Sequence, residues 1–202
     1  MRLLIFSDIH GDQAALEKLM DTEADYYFAA GDLANWGRGL EQLGPILKKR
    51  AGRMYVLPGN HETEADVASF CAKFGFRNFH SQTMDIAGYK VAGLGYSNPT
   101  PFNTPGEYSE QELAARLGKF SGLQPLVLVC HTPPRDTRLD NAGHDKHFGS
   151  QAVRDFIDRE QPLYFYCGHI HEAAGQHEVF GRTQAWNVGK RGQVLDLAPL
   201  LK

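Results

Sequence analysis

Leu57-Pro58-Gly59-Asn60-His61-Glu62 decides how this chain is read. Met54-Tyr55-Val56-Leu57 leads into it as a run of β-type residues. Pro58 and Gly59 then break the run and turn the backbone. Asn60 and His61 follow at the C-terminal end of the strand, and a helical pattern starts near Thr63. An amide oxygen and an imidazole therefore stand at the mouth of a sheet, where open α/β folds place their ligands.

Outward from this stretch the same arrangement recurs. Arg2 to Ser7 is a continuous apolar strand ended by Asp8-Ile9-His10, and Tyr26 to Ala30 is a strand ended by Gly31-Asp32. Leu126 to Cys130 is ended by His131, and Leu163 to Cys167 by Gly168-His169-Ile170-His171. The strand of the opening stretch covers Arg53 to Leu57. Between these strands, helical spacing is found over Gln13 to Met20 behind an Asp12 cap, and at Leu40, Leu43 and Leu47. Further helices are predicted over Glu64 to Lys73, Glu107 to Gly118 and Ser150 to Glu160, with Ser109 and Glu112 forming a capping-box pattern.

Two other regions look different. Thr83 to Ala87 and Tyr89 to Leu94 flank Gly88 as a hairpin, and Gln176 to Leu197 predicts three short antiparallel strands. Loops Gly95 to Gly106 and Thr132 to Phe148 are long for a compact domain, which marks them as functional. The expected fold is α/β: two mixed β-sheets packed face to face with flanking helices, in one domain over residues 1–202.

Composition narrows the function. A net charge of −3 gives no electrostatic footprint for nucleic acid or anionic lipid. Cys71, Cys130 and Cys167 are odd in number and far apart, so no disulfide framework is expected and a cytoplasmic location is. The apolar run after Arg2 is too short for a signal segment, and no run is long enough to span a membrane.

The strand-end residues carry the chemistry. Residues i and i+2 of a strand point the same way, so Asp8 with His10, and His169 with His171, are each expected to reach one point. Carboxylate and amide oxygens mixed with imidazoles suit Mn, Fe, Zn, Co or Ni. Asp8, His10, Asp32, Asn60, His131, His169 and His171 exceed the needs of one open site. They suit two divalent ions about 4 Å apart, bridged by a carboxylate.

Asp8-x-His10, Gly31-Asp32, Gly59-Asn60-His61-Glu62, His131 and Gly168-His169-x-His171 together resemble the calcineurin-like metallophosphoesterase superfamily. The resemblance implies an αββα sandwich and a dinuclear metal site. It implies that Asp8, His10 and His171 hold one ion, that Asn60, His131 and His169 hold the other, and that Asp32 bridges them. It implies that His61 is not a ligand but faces the substrate as general acid or electrostatic partner, and that Glu62 orients His61. Where many members carry a second Asp after Gly-Asp, this chain has Asn35, and Trp36 follows where protein phosphatases have Arg. The expected activity is hydrolysis of a small phosphate ester, diester before monoester, by a metal-bound hydroxide. The rivals are a non-catalytic scaffold on the same fold, a nuclease and a protein phosphatase. Arg38 and Arg135 are the nearest candidates to contact a phosphate, and the loop from Thr132 to Phe148 is the candidate wall of the pocket.

Overall fold

The apolar strand runs are continuous because they are covered on both faces. In β1 (Arg2–Phe6), Leu4 and Phe6 pack with helices, whereas Leu3 and Ile5 enter a layer between two sheets. The same alternation divides Tyr27 and Ala29 from Phe28 and Ala30 in β2 (Tyr26–Ala30). In β7 (Leu126–Cys130), Leu128 and Cys130 face helices while Val127 and Val129 face the central layer. Side chains that alternate along a strand and are buried on both sides leave no polar face, so the sequence shows no hydrophobic–polar period.

This architecture is a computed structural model that describes residues 1–200. Leu201 and Lys202, which the expected domain includes, lie outside the described residues. The first sheet runs β11-β1-β2-β3-β4 and the second β5-β6-β7-β8-β10-β9. In the first, β1, β2, β3 (Met54–Leu57) and β4 (Arg77–Asn78) are parallel, and β11 (Gln193–Asp196) runs antiparallel beside β1. In the second, β6 (Tyr89–Leu94), β7, β8 (Tyr164–Cys167) and β10 (Thr183–Asn187) are parallel. Its edges β5 (Gln82–Ile86) and β9 (His177–Phe180) are antiparallel. Helices α1 (Gln13–Met20), α2 (Leu40–Leu47) and α3 (Glu64–Phe74) cover the first sheet. Helices α4 (Glu110–Gly118) and α5 (Gln151–Glu160) cover the second. The predicted two-sheet α/β sandwich is therefore the fold, and no helix among the described residues is long and apolar enough to cross a membrane.

Two local predictions need correction, and one short strand has no counterpart in the sequence reading. β4 is only two exposed polar residues long and carries no apolar signal. α4 starts at Glu110 rather than Glu107, because Glu107 turns its carboxylate back to Thr100 and Thr104 and leaves Ser109 as the cap. The three C-terminal strands do not form one antiparallel unit. β10 joins β8 in parallel, and β11 crosses to the other sheet.

Buried Asn187, at the end of β10, holds the turn after β8. Its Nδ2 lies 3.1 Å from Gly168 O, 3.0 Å from Ile170 O and 3.1 Å from Leu139 O. Gly168 O and Ile170 O also accept from Ile170 N and Ala173 N, so an apolar replacement leaves Leu139 O without a donor, at a cost of roughly 1–3 kcal/mol. Asn187→Leu is therefore expected to lower the urea midpoint by a stability loss of that order. An unchanged midpoint would show that Leu139 O finds another donor.

Candidate active site

Five parallel strands end at one edge of the sandwich, and the loops that follow bring the predicted residues together. The convergence of Asp8 and His10 does not come from strand period. Both lie beyond β1 in left-handed backbone, with φ of 57° and 48°. Asp32 and His169 are left-handed too, at 53° and 69°. Non-glycine residues pay of order 1–3 kcal/mol for sparsely populated backbone, and such residues cluster at functional sites. His169 and His171 likewise part company, one in each of two clusters.

In the first cluster Asp8, His10 and His171 offer donor atoms within 4.8 Å of one another. His10 Nε2 faces His171 Nε2 at 2.9 Å, and His171 Nε2 is 3.7 Å from Asp8 Oδ1. Asn35 fixes the His10 ring. Its Nδ2 donates to His10 O at 3.1 Å, which turns Oδ1 toward the ring, 2.8 Å from Nδ1. Nδ1 must then carry the proton, and Nε2 presents a lone pair to the cluster.

The second cluster joins Asp32, His131 and His169, again within 4.8 Å. His131 Nδ1 donates to Ala30 O at 2.8 Å, across from one sheet to the other, so its Nε2 faces inward. That Nε2 is 3.1 Å from Asn60 Oδ1, and His169 Nδ1 is 2.8 Å from the same oxygen. Asp32 lies between the clusters: its Oδ2 is 3.4 Å from His131 Nε2 and 3.7 Å from His10 Nε2.

Electrostatics at this edge follow from burial and crowding. Burial works against the Asp32 carboxylate, but the charge and hydrogen bond of His131 hold it well below the usual range. Burial lowers His131 as well, and Asp32 overcomes it, raising the imidazole to about 9. His169 is pushed down to about 3 by burial and by the charge of His131. Carboxylate, amide and imidazole acceptors aimed into a shared space are a donor set that fits divalent transition-metal cations.

Glu62 does not orient His61. Its buried carboxylate accepts from Asp32 N at 3.0 Å, Gly59 N at 2.9 Å and Ala34 N at 2.8 Å. It ties the loop after β2 to the loop after β3. Burial and the nearby Asp32 push its carboxyl up to about 8, while the Ala34 and Gly59 amides work against that rise. The loops approach so closely that a Cβ on Gly31 would lie 2.6 Å from Gly59 Cα, and one on Gly59 would collide with Asp32 Oδ1. His61 is placed through its backbone N–H, which donates to Asp32 Oδ1 at 2.9 Å. Its Nδ1 accepts from Trp36 N at 3.3 Å. His61 also comes within 4.8 Å of His10 and Asp32 by donor atom, so geometry brings it to the edge of both clusters.

Thr104 and Glu107 were not singled out by the sequence. Asn60 Nδ2 donates to Thr104 Oγ1 at 3.2 Å, which turns Oδ1 toward His131 and His169. Glu107 holds that threonine in place by accepting from Thr104 and Thr100. The only sequence signal was the length of the loop. Of the second long loop, Arg135, His147 and Phe148 line a cleft of about 600 Å³ that opens on Asp32, Asn60 and His61. Arg138, His144, Lys146 and the exposed Arg38 do not line it.

A two-sheet α/β sandwich whose strand ends gather carboxylates and imidazoles at one edge is the build of a metallophosphoesterase. The chain belongs to the calcineurin-like phosphoesterase family, whose model matches residues 1–173. It is similar to the uncharacterized protein MJ1162 of Methanocaldococcus jannaschii, with 33% identity over 180 residues that cover 86% of this chain and 81% of that protein. Its fold is similar to that of TT1561 of Thermus thermophilus, at 22% identity and a TM-score of 0.71, covering 96% of this chain and 98% of that one. It is also similar in fold to phosphopantetheinyl hydrolase of Mycobacterium tuberculosis, at 17% identity and a TM-score of 0.66, covering 93% and 88%.

Two outcomes follow. Glu62→Gln puts an amide NH₂ against a backbone N–H and is expected to lower stability by roughly 1–3 kcal/mol. It should reduce bound metal as well, and full metal content by elemental analysis would show that the loops stay aligned without the carboxylate. Asn35→Ala frees the His10 ring and is expected to weaken metal affinity about 10–100-fold. A competition titration with a chelator measures this, and wild-type affinity would remove Asn35 from the positioning set.

Proposed function

We propose that the chain is a phosphodiesterase with a dinuclear metal site. Asp8, His10 and His171 would hold one ion and Asn60, His131 and His169 the other, with Asp32 shared. The position of Asp32 Oδ2 between His10 and His131 carries this reading, because a carboxylate there faces both donor groups. Bound divalent ions supply electrophilic pull on the phosphoryl group and bring the pKa of water from ~15.7 toward ~7.

The remaining chemistry belongs to the chain. Trp36 N donates to His61 Nδ1, so a neutral His61 carries its proton on Nε2, free to protonate a leaving alkoxide. Asp32 Oδ1 fixes the backbone of His61 beside the shared carboxylate. The cleft is lined by a single Arg or Lys, Arg135. Lys190, beside the first cluster, is paired with Asp12 at 2.9 Å. One cation matches the single charge of a diester better than the two charges of a monoester. The cleft volume suits a small ester substrate, and three buried free cysteines accord with a reducing cytoplasm.

Protein reconstituted with Mn²⁺ is expected to hydrolyse bis-p-nitrophenyl phosphate faster than p-nitrophenyl phosphate. The reverse order would favour a monoesterase. Asp32→Ala is expected to lose metal from both positions. His61→Gln should keep its metal and lose roughly 10²–10⁴-fold in turnover of esters with poor leaving groups. Its loss should be smaller with p-nitrophenolate, which needs little protonation. Loss of metal in His61→Gln would make His61 a ligand instead.

A further inference from the structure

The wall of the cleft opposite the strand ends is built from both long loops, and each is tied internally. Glu107 accepts from Thr100 Oγ1 at 2.6 Å and Thr104 N at 2.8 Å, and Phe102 N donates to Thr100 Oγ1 at 3.2 Å. In the other loop the fully buried Asp140 carboxylate accepts from Thr137 N at 2.8 Å, Gly149 N at 2.9 Å and His147 Nδ1 at 2.7 Å. Asn98 Nδ2 then donates to Phe148 O at 3.0 Å and clasps the loops together. Despite this ordering, Phe102 and Phe148 are 71% and 50% exposed as residues, and both line the cleft.

Ordered loops that hold large apolar rings open to water, beside a reactive centre, call for a ligand to cover them. The geometry points to a subsite in which Phe102 and Phe148 take a flat, unsaturated ring on one organic arm of the substrate. The volume of about 600 Å³ exceeds what a phosphate alone fills, which leaves space for such an arm. Pro99, Pro101 and Ile170 extend the apolar lining, and Arg135, 3.8 Å from Asp136, offers positive charge to the anionic phosphate joined to the arm in a cleft that Glu172 also lines. The occupant is therefore a ring-bearing phosphodiester rather than one with small aliphatic arms. This subsite rests on the diesterase reading for its phosphate, while the ring preference rests on the two phenylalanines.

Binding of inert phosphinates separates the two ideas. Methyl(phenyl)phosphinate, cyclohexyl(methyl)phosphinate and dimethylphosphinate each carry one negative charge and no bond for hydrolysis. Calorimetry on the Mn²⁺-loaded protein is expected to find the phenyl compound about tenfold tighter than the dimethyl one, the order of one ring stacked on an aromatic side chain. It should also exceed the cyclohexyl compound, which is of similar size but not flat. In Phe102→Ala/Phe148→Ala, with metal content unchanged, the phenyl preference should fall to about twofold or less. Equal affinities in the wild-type protein, phenyl no tighter than cyclohexyl, or a preference that survives in the double variant would overturn the subsite. So would self-association in sedimentation that the double variant abolishes while the phosphinate affinities stay level. A phenyl preference in a protein that turns over no diester would keep the subsite and remove the diesterase reading.

Discussion

A single buried carboxylate holds the active edge of this protein together. Glu62 receives backbone N–H groups from Asp32 and Ala34 on one loop and from Gly59 on the next. Both of its oxygens are used, Oε2 by Asp32 N and Gly59 N and Oε1 by Ala34 N. The same contact explains why glycines precede Asp32 and Asn60. The loops lie too close for a side chain at either position. Asp32 and Asn60 are thereby held at a fixed separation, and His61 is carried into place by its own backbone bond to Asp32.

A second constraint acts between the sheets. His131 belongs to the second sheet, yet its Nδ1 donates to Ala30 O of the first. Gly168 N donates in turn to His131 O, and His169 N to both oxygens of Asp8. The donor atoms thus come from both sheets, and the edge forms only when the sandwich is closed. Fold stability and site geometry are consequently linked: a change that opens the central layer separates residues that lie more than a hundred positions apart in sequence.

Much of this was legible before any coordinates. The strands and the helices that cover them follow from apolar runs and helical spacing, and β2, β7 and α1 match their predicted spans. The gathering of Asp8, His10, Asp32, Asn60, His131, His169 and His171 followed from their shared place after strands. The cause differed, since left-handed turns rather than strand period direct Asp8 and His10. Glu62 was misread: the resemblance implied that it orients His61, whereas its side chain meets the Asp32, Ala34 and Gly59 amides. Thr104 and Asn187 act through contacts between distant segments, and nothing local marks them. Strand partners were the least legible feature. A short alternating run announces a strand but does not say which sheet receives it, and β11 is the example.

That last strand has a consequence for how the chain comes to be made. β1 pairs along Arg2 to Ile5 with β11, from Asp196 back to Gln193. Until β11 leaves the ribosome, β1 presents an unpaired edge of Leu3, Leu4 and Ile5, a template for any other strand that passes. The family match ends at residue 173, so the segment that shields this edge lies beyond the part of the chain that the family model describes. During synthesis this edge therefore stays open until β11 has been added, and proteolytic loss of β11 would reopen it in the folded protein.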